Sequence, residues 1–148
     1  MKKPRKVMLI DDDSIDNFVN RKMILHYKFA ETVEEFQSPI KALEHLRMLD
    51  SSAEKRELLP HVILLDMNMP VMNGAEFLQQ YEFLSSHLKD WCKLVVLSGA
   101  INVGEAYGTE RNKHIVDIMQ KPLIKMNLDY LENILSKNVS RSLFSLAR

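Results

Sequence analysis

An α/β fold built on a doubly wound, five-stranded parallel sheet is predicted by three features of the sequence. Short apolar runs recur at 6–10, 31–36, 61–66, 93–97 and 115–119. The segments between them place apolar residues at helical spacing, so strand and helix alternate along the chain. Two of the runs stop on carboxylates, Asp11 and Asp66, and turn-forming residues follow. Alternation of this kind predicts a parallel sheet with helices on both faces, because right-handed crossovers return each strand to the same sheet.

The first run, K-V-M-L-I at 6–10, is apolar enough for a strand buried on both faces, and it leads into Asp11, Asp12, Asp13 and Ser14. From Ser14 the period changes, with Ile15, Phe18, Val19 and Met23 at helical spacing and Asp13 or Ser14 available as the cap. The second run, E-T-V-E-E-F, carries glutamates that suit an edge strand. Ser38 and Pro39 then start a helix with Ala42, Leu43, Leu46 and Leu49 on one face. Residues 50–59 are polar and charged and read as a connecting loop or a helical extension on the surface, without chemistry.

The third run, H-V-I-L-L-D, ends on Asp66, and Pro70, Asn73 and Gly74 mark the turn beyond it. Asn73 with Glu76 predicts a capping box, and Phe77, Tyr81, Leu84 and Leu88 continue a helical stripe. The fourth run, K-L-V-V-L, leads to Ser98, Gly99 and Ala100. Residues 102–113 hold Gly104 and Gly108, so a helix there is expected to be weak and mobile. The fifth run, at 115–119, precedes Gln120, Lys121 and Pro122. A last helix over 126–137 turns Leu128, Leu131, Ile134 and Leu135 inward and leaves a tail at 138–148. Five strands and five helices are expected, in the flavodoxin-like order 2-1-3-4-5, which makes the first and third strands neighbours.

A chain of 148 residues suits one domain, expected to span 1–148 with its core at about 6–137 and no effector domain after it. Twenty basic and twenty acidic residues leave no net charge, so no overall field draws the chain to nucleic acid or a membrane. Function is expected in a local site. The single cysteine, Cys92, excludes an internal disulfide and fits a reducing compartment as a buried small hydrophobe. No signal peptide or bilayer-length apolar run is present, and a soluble, cytoplasmic protein is expected.

The order 2-1-3-4-5 brings Asp11, Asp12 and Asp66 together at one edge of the sheet. Carboxylates that close are tolerable only when protons or a cation offset their charge. All-oxygen ligands favour Mg²⁺, with Mn²⁺ possible, over zinc. Ser98 and Lys121 add a hydroxyl and a cation at the same edge. A carboxylate nucleophile, a metal, a lysine and a hydroxyl are the parts that phosphoryl transfer needs.

In this arrangement the sequence resembles the receiver domains of two-component response regulators. The acidic pair Asp11 and Asp12, the run D-M-N-M-P-V-M-N-G at 66–74, Ser98 and Lys121-Pro122 fall in family order, and the resemblance covers about 6–137. It implies that Asp66 accepts a phosphoryl group from a phosphohistidine donor. Asp11 or Asp12, Asp66 and the backbone carbonyl of Asn68 would then hold Mg²⁺. Lys121 would pair with a phosphoryl oxygen, Ser98 would move to bond another, and Pro70 and Gly74 would shape the loop. Asp13 is read as a helix cap and not a ligand.

The implied partners are a sensor histidine kinase or histidine phosphotransfer protein and a downstream protein, with no nucleic acid and no membrane; the chain itself would be a monomer or weak homodimer. The implied role is signalling, not enzymatic turnover. Ile118 stands where many receivers carry a switching aromatic, so a different readout of switching is expected; Ala100 offers no polar group to position an attacking water, and for that reason unassisted hydrolysis of the phosphorylated form is expected to be slow. Two other readings stay open: an unphosphorylated scaffold, and an aspartyl-nucleophile phosphatase of the haloacid dehalogenase type. The phosphatase would want an acid where Asn68 stands. The five histidines are scattered without ligand spacing and are read as surface or packing residues.

Overall fold

A computed structural model describes residues 5–99 and 112–136. In chain order the elements are β1 (Lys6–Ile10), α1 (Ser14–His26), β2 (Thr32–Phe36), α2 (Pro39–Leu49), α3 (Ala53–Arg56), β3 (Val62–Asp66), α4 (Gly74–Tyr81), α5 (Ser86–Trp91), β4 (Lys93–Ser98), β5 (Ile115–Gln120) and α6 (Lys125–Ser136). All strand pairs are parallel and the sheet order is β2-β1-β3-β4-β5. This is the predicted doubly wound sandwich. Most of the glycine-containing stretch at 102–113 and the tail at 138–148 lie outside the described residues.

The period-2 rule of a strand divides the core in two. Met8, Ile10, Ile63, Leu65 and Leu94 point to one side and pack with α2, α4 and α5. Val7, Leu9, Val62, Leu64, Val95 and Leu97 point to the other and pack with Ile24 of α1 and with Leu128 and Leu131 of α6. Every residue of β3 is buried, as a central parallel strand requires. β2 lies at the edge, and its glutamates find partners there: Glu34 pairs with Lys6 and His45, and Glu35 with Arg21. Among the described residues no helix is long and apolar enough to cross a membrane.

Two expectations are corrected. The first concerns α1, whose helical spacing is right but whose leading apolar residues, Ile15 and Phe18, face solvent, while Met23 packs partly against the core. Ile15 and Phe18 are 70% and 56% exposed, while Asn17, Asn20 and Ile24 are buried. The asparagines are inside because they satisfy loop backbone groups that would otherwise be stranded away from water. Asn17 Nδ2 donates to the carbonyl of Asp11 at 2.9 Å, and Asn20 Oδ1 accepts from Leu123 N at 3.2 Å.

The second correction is to the stripe from Phe77 to Leu88, which is two helices rather than one. The chain leaves α4 after Tyr81 and restarts at α5, with Ser85 as its cap, although all four apolar residues are buried as expected. Asp50 holds this break. Its carboxylate accepts from Ser85 N at 2.9 Å, from Ser85 Oγ and from Arg56 Nε at 3.1 Å. Burial alone would raise the Asp50 carboxyl, but the bonds from Ser85 and the Arg56 charge outweigh it and hold it below its ordinary value. The break and the short α3 bring the described helices to six.

Gly74 is required by a close approach. A Cβ built there would lie 2.5 Å from Met67 Sδ, 2.9 Å from Met67 Cα and 3.1 Å from the Asp66 carbonyl. The last two are backbone atoms beside Asp66 and cannot move aside as a side chain does. Gly74→Ala is therefore expected to lower stability by about 1–3 kcal/mol in urea unfolding, whereas an unchanged midpoint would show that the loop yields freely.

Candidate functional site

The site lies beyond the carboxyl ends of the strands, where β1 and β3 are neighbours in a sheet whose crossovers diverge to opposite faces. β3 ends on Asp66, paired in register with Leu97 of β4. Asp11 follows β1 directly; its backbone N donates to the Phe36 carbonyl at 3.0 Å and its Oδ1 accepts from Asp13 N at 2.9 Å. Asp11, Asp66 and Ser98 are all buried. Lys121 follows β5, and its backbone N donates to the Ser98 carbonyl at 2.7 Å, fastening the lysine segment to the end of β4. The Lys121–Pro122 peptide is cis.

The Lys121 ammonium gathers the acids. Its Nζ lies 2.7 Å from Asp11 Oδ2, 2.9 Å from Asp16 Oδ2 and 3.1 Å from Asp66 Oδ1. Burial works against a charged lysine, but the bonds to Asp11 and Asp16 and the charges of Asp66 and Asp11 prevail and raise its pKa. Asp66 is pushed the other way, up to about 6, first by burial and then by the Asp11 charge, with Lys121 and the Asn68 amide only partly offsetting them. One ammonium does not neutralise this cluster.

Asp11, Asp12 and Asp66 can each offer an oxygen such that all three lie within 4.8 Å of one another. A hard-oxygen donor set with surplus negative charge fits a divalent cation such as Mg²⁺. Asn68 sits beside it, its amide donating to Asp66 Oδ1 at 3.3 Å. Asp13 does what the sequence predicts, accepting from Ile15 N and Asp16 N as the α1 cap, outside the metal group. The capping box of Asn73 and Glu76 starts α4 and closes the loop after Asp66. Within that loop Val71 takes φ of 69°, a left-handed conformation that costs a β-branched residue on the order of 1–3 kcal/mol.

The sequence reading of Cys92 holds. Cys92 is buried and its thiol is pushed up to about 12, first by burial and then by the Asp50 charge, so it carries no reactive thiolate at neutral pH. Ile118 sits on β5, in register with Val96, one residue before the last buried strand position.

Sequence reasoning missed Asp16, Asn17 and Asn20. An acid in a first helical turn reads as a complement to the helix dipole, and that ordinary role conceals the contact of Asp16 with Lys121. No local signal marks the asparagines, since each answers a backbone group in a loop that only the fold brings near.

Comparison with known proteins places this geometry. The family model described as the response regulator receiver domain matches residues 7–131. A two-component response regulator from Cytophaga hutchinsonii superposes with a TM-score of 0.79 at 25% identity, covering 92% of this chain and 99% of that one. A response regulator receiver protein from Dyadobacter fermentans superposes at 0.74 with 30% identity, covering 86% of this chain and 94% of its own. A protein-glutamate methylesterase/protein-glutamine glutaminase from Saccharophagus degradans is 35% identical over 77 residues, 52% of this chain. The match spans only 20% of that protein's length, so its name describes that protein alone.

The raised Asp66 carboxyl carries a stability consequence in metal-free protein. Between the usual carboxylate range and about pH 6 the folded state binds more protons at Asp66 than the unfolded chain, so stability falls as pH rises through that window. Asp66→Asn is expected to raise metal-free stability at pH 7.5 by on the order of 1–3 kcal/mol, with the gain shrinking toward zero below about pH 4. Thermal unfolding of both proteins across pH checks this; a destabilised Asn variant at pH 7.5 would mean that Lys121 more than neutralises the site.

Proposed function

The chain belongs to the response regulator receiver family, and on that premise we propose that Asp66 accepts a phosphoryl group from a phosphohistidine donor in a two-component or phosphorelay system. The observation that carries this reading is the Lys121 ammonium held at once against Asp66 and Asp11, beside three carboxylates close enough to share a cation. It joins a nucleophile, a charge clamp and a metal set at one sheet edge.

In the proposed reaction an ionised Asp66 oxygen attacks phosphorus, the P–N bond to the donor imidazole breaks, and the acyl-phosphate P–O bond forms. Burial suits Asp66 to this, because a poorly solvated carboxylate sheds little water before attack. It is ionised above about pH 6, so transfer at neutral pH needs no separate base. Lys121 meets the charge growing on the phosphoryl oxygens, and its contact with Asp11 keeps the flexible side chain in reach. Ser98, buried at the end of β4, supplies a hydroxyl to another phosphoryl oxygen once Asp66 is modified. Mg²⁺, or Mn²⁺, held by Asp11, Asp12, Asp66 and the Asn68 carbonyl, would supply the positive charge that lets these acids and a phosphate share one pocket.

A phosphorylated Asp66 adds about two negative charges and new acceptors. In this reading the signal leaves through the surface of the sheet sandwich toward a partner protein. The Ser98 carbonyl, bonded to Lys121 N, links any shift of Ser98 to the segment after β5. With Ile118 in place of an aromatic, this backbone link rather than ring rotation is the route we favour. The phosphatase alternative is not supported: Asn68 provides no acid for the leaving group.

Incubation with Mg²⁺ and a small phosphodonor, followed by intact mass, tests the assignment. Wild type is expected to gain one phosphoryl group, Asp66→Asn none, and Lys121→Ala to gain it more slowly by on the order of 100-fold. An equal gain on wild type and Asp66→Asn would place the acceptor elsewhere, and no gain on wild type would leave an unphosphorylated scaffold.

A further inference from the structure

Asp16 lies outside the set of acids grouped for a metal, yet its Oδ2 is 2.9 Å from Lys121 Nζ. Three carboxylates lie within ion-pair distance of the Lys121 ammonium, and Asp16 Oδ2 accepts a hydrogen bond from it. The three differ in what a cation would do to them. Asp11 and Asp66 belong to the group that could hold a metal, so a bound divalent ion would draw on their charge and loosen their claim on the ammonium. Asp16 has no such release. Its side chain is 39% exposed, against 4% for Asp66, so it approaches Lys121 from the solvent side of the pocket.

We propose that Asp16 is a positioning residue that competes with the phosphoryl group for Lys121 and thereby weakens the hold of the site on phosphate. This rests on the reading of Asp66 as the acceptor. Two effects act in one direction. Asp16 is the acceptor hydrogen-bonded to Lys121, so a phosphoryl oxygen that takes that N–H must displace it. The Asp16 charge also repels an incoming dianion across the same ammonium. The Asp13 carboxylate accepts from Ile15 N and Asp16 N, which fixes the Asp16 backbone in the first turn of α1.

The test uses beryllofluoride, a stable mimic of the phosphoryl group, with saturating Mg²⁺, and reads its apparent Kd by fluorine NMR for wild type, Asp16→Asn and Asp16→Glu. KM for a small phosphodonor is measured alongside. Asp16→Asn keeps the side-chain shape and removes the charge, so it is expected to bind about two- to fivefold more tightly at low salt, the scale of a half-exposed ion pair, with the gain shrinking as salt rises. Its KM should fall in step, and Asp16→Glu, which keeps the charge, should stay near wild type. Equal or weaker binding by Asp16→Asn, with wild type binding normally, would overturn the proposal while leaving Asp66 as acceptor. Failure of wild type itself to bind beryllofluoride would overturn both. A merely structural Asp16 would shift thermal stability without a salt-dependent change in affinity.

Discussion

One ammonium holding three carboxylates is the interaction on which the site depends. Asp11 and Asp66 are buried within reach of each other because β1 and β3 are adjacent, and without Lys121 their charges would drive the strand ends apart. The compensation is incomplete, as the raised Asp66 carboxyl records. An overcharged pocket of this kind is a poor resting structure and a good receptor. A bound cation would relieve that charge and make the pocket tolerant of phosphate. Stability is given up locally so that binding has something to relieve.

The rest of the fold supplies the rigidity that makes such repulsion sustainable. β3 is buried along its whole length, so Asp66 cannot relax by backbone movement without disturbing both cores. Gly74 brings the start of α4 against the backbone of Asp66 and Met67. Asn17 and Asn20 tie α1 to the loops after β1 and β5, which carry Asp11 and Lys121. These ties come from β3, α4 and α1, and together they fix the acids and the lysine from both sides of the sheet.

How much of this was legible in the sequence depended on whether the signal was local. The strands could be read because apolar runs buried on both faces look alike wherever they occur, and Asp11, Asp66, Ser98 and Lys121 could be placed because each ends such a run. The receiver resemblance, carried by those same residues, agrees with the family match over 7–131. The face of α1 could not be read, because exposed Ile15 and Phe18 mimic a core stripe while the inward asparagines answer loop backbone groups. Asp50 looked like one acid in a polar connection, yet it fastens Ser85 some 35 residues away in sequence. Asp16 was hidden for the same reason, its partner Lys121 being 105 residues distant.

The account stands or falls on Asp66 carrying an acyl phosphate, and reductive trapping tests that at the level of the bond. Borohydride reduces an aspartyl phosphate to homoserine and leaves serine, threonine and histidine phosphates alone, so peptide mapping after phosphorylation and reduction reports the residue directly. Homoserine at position 66 is the result this structure predicts. Homoserine at Asp11, Asp12 or Asp16, or a phosphoryl group that survives reduction unchanged, would contradict it.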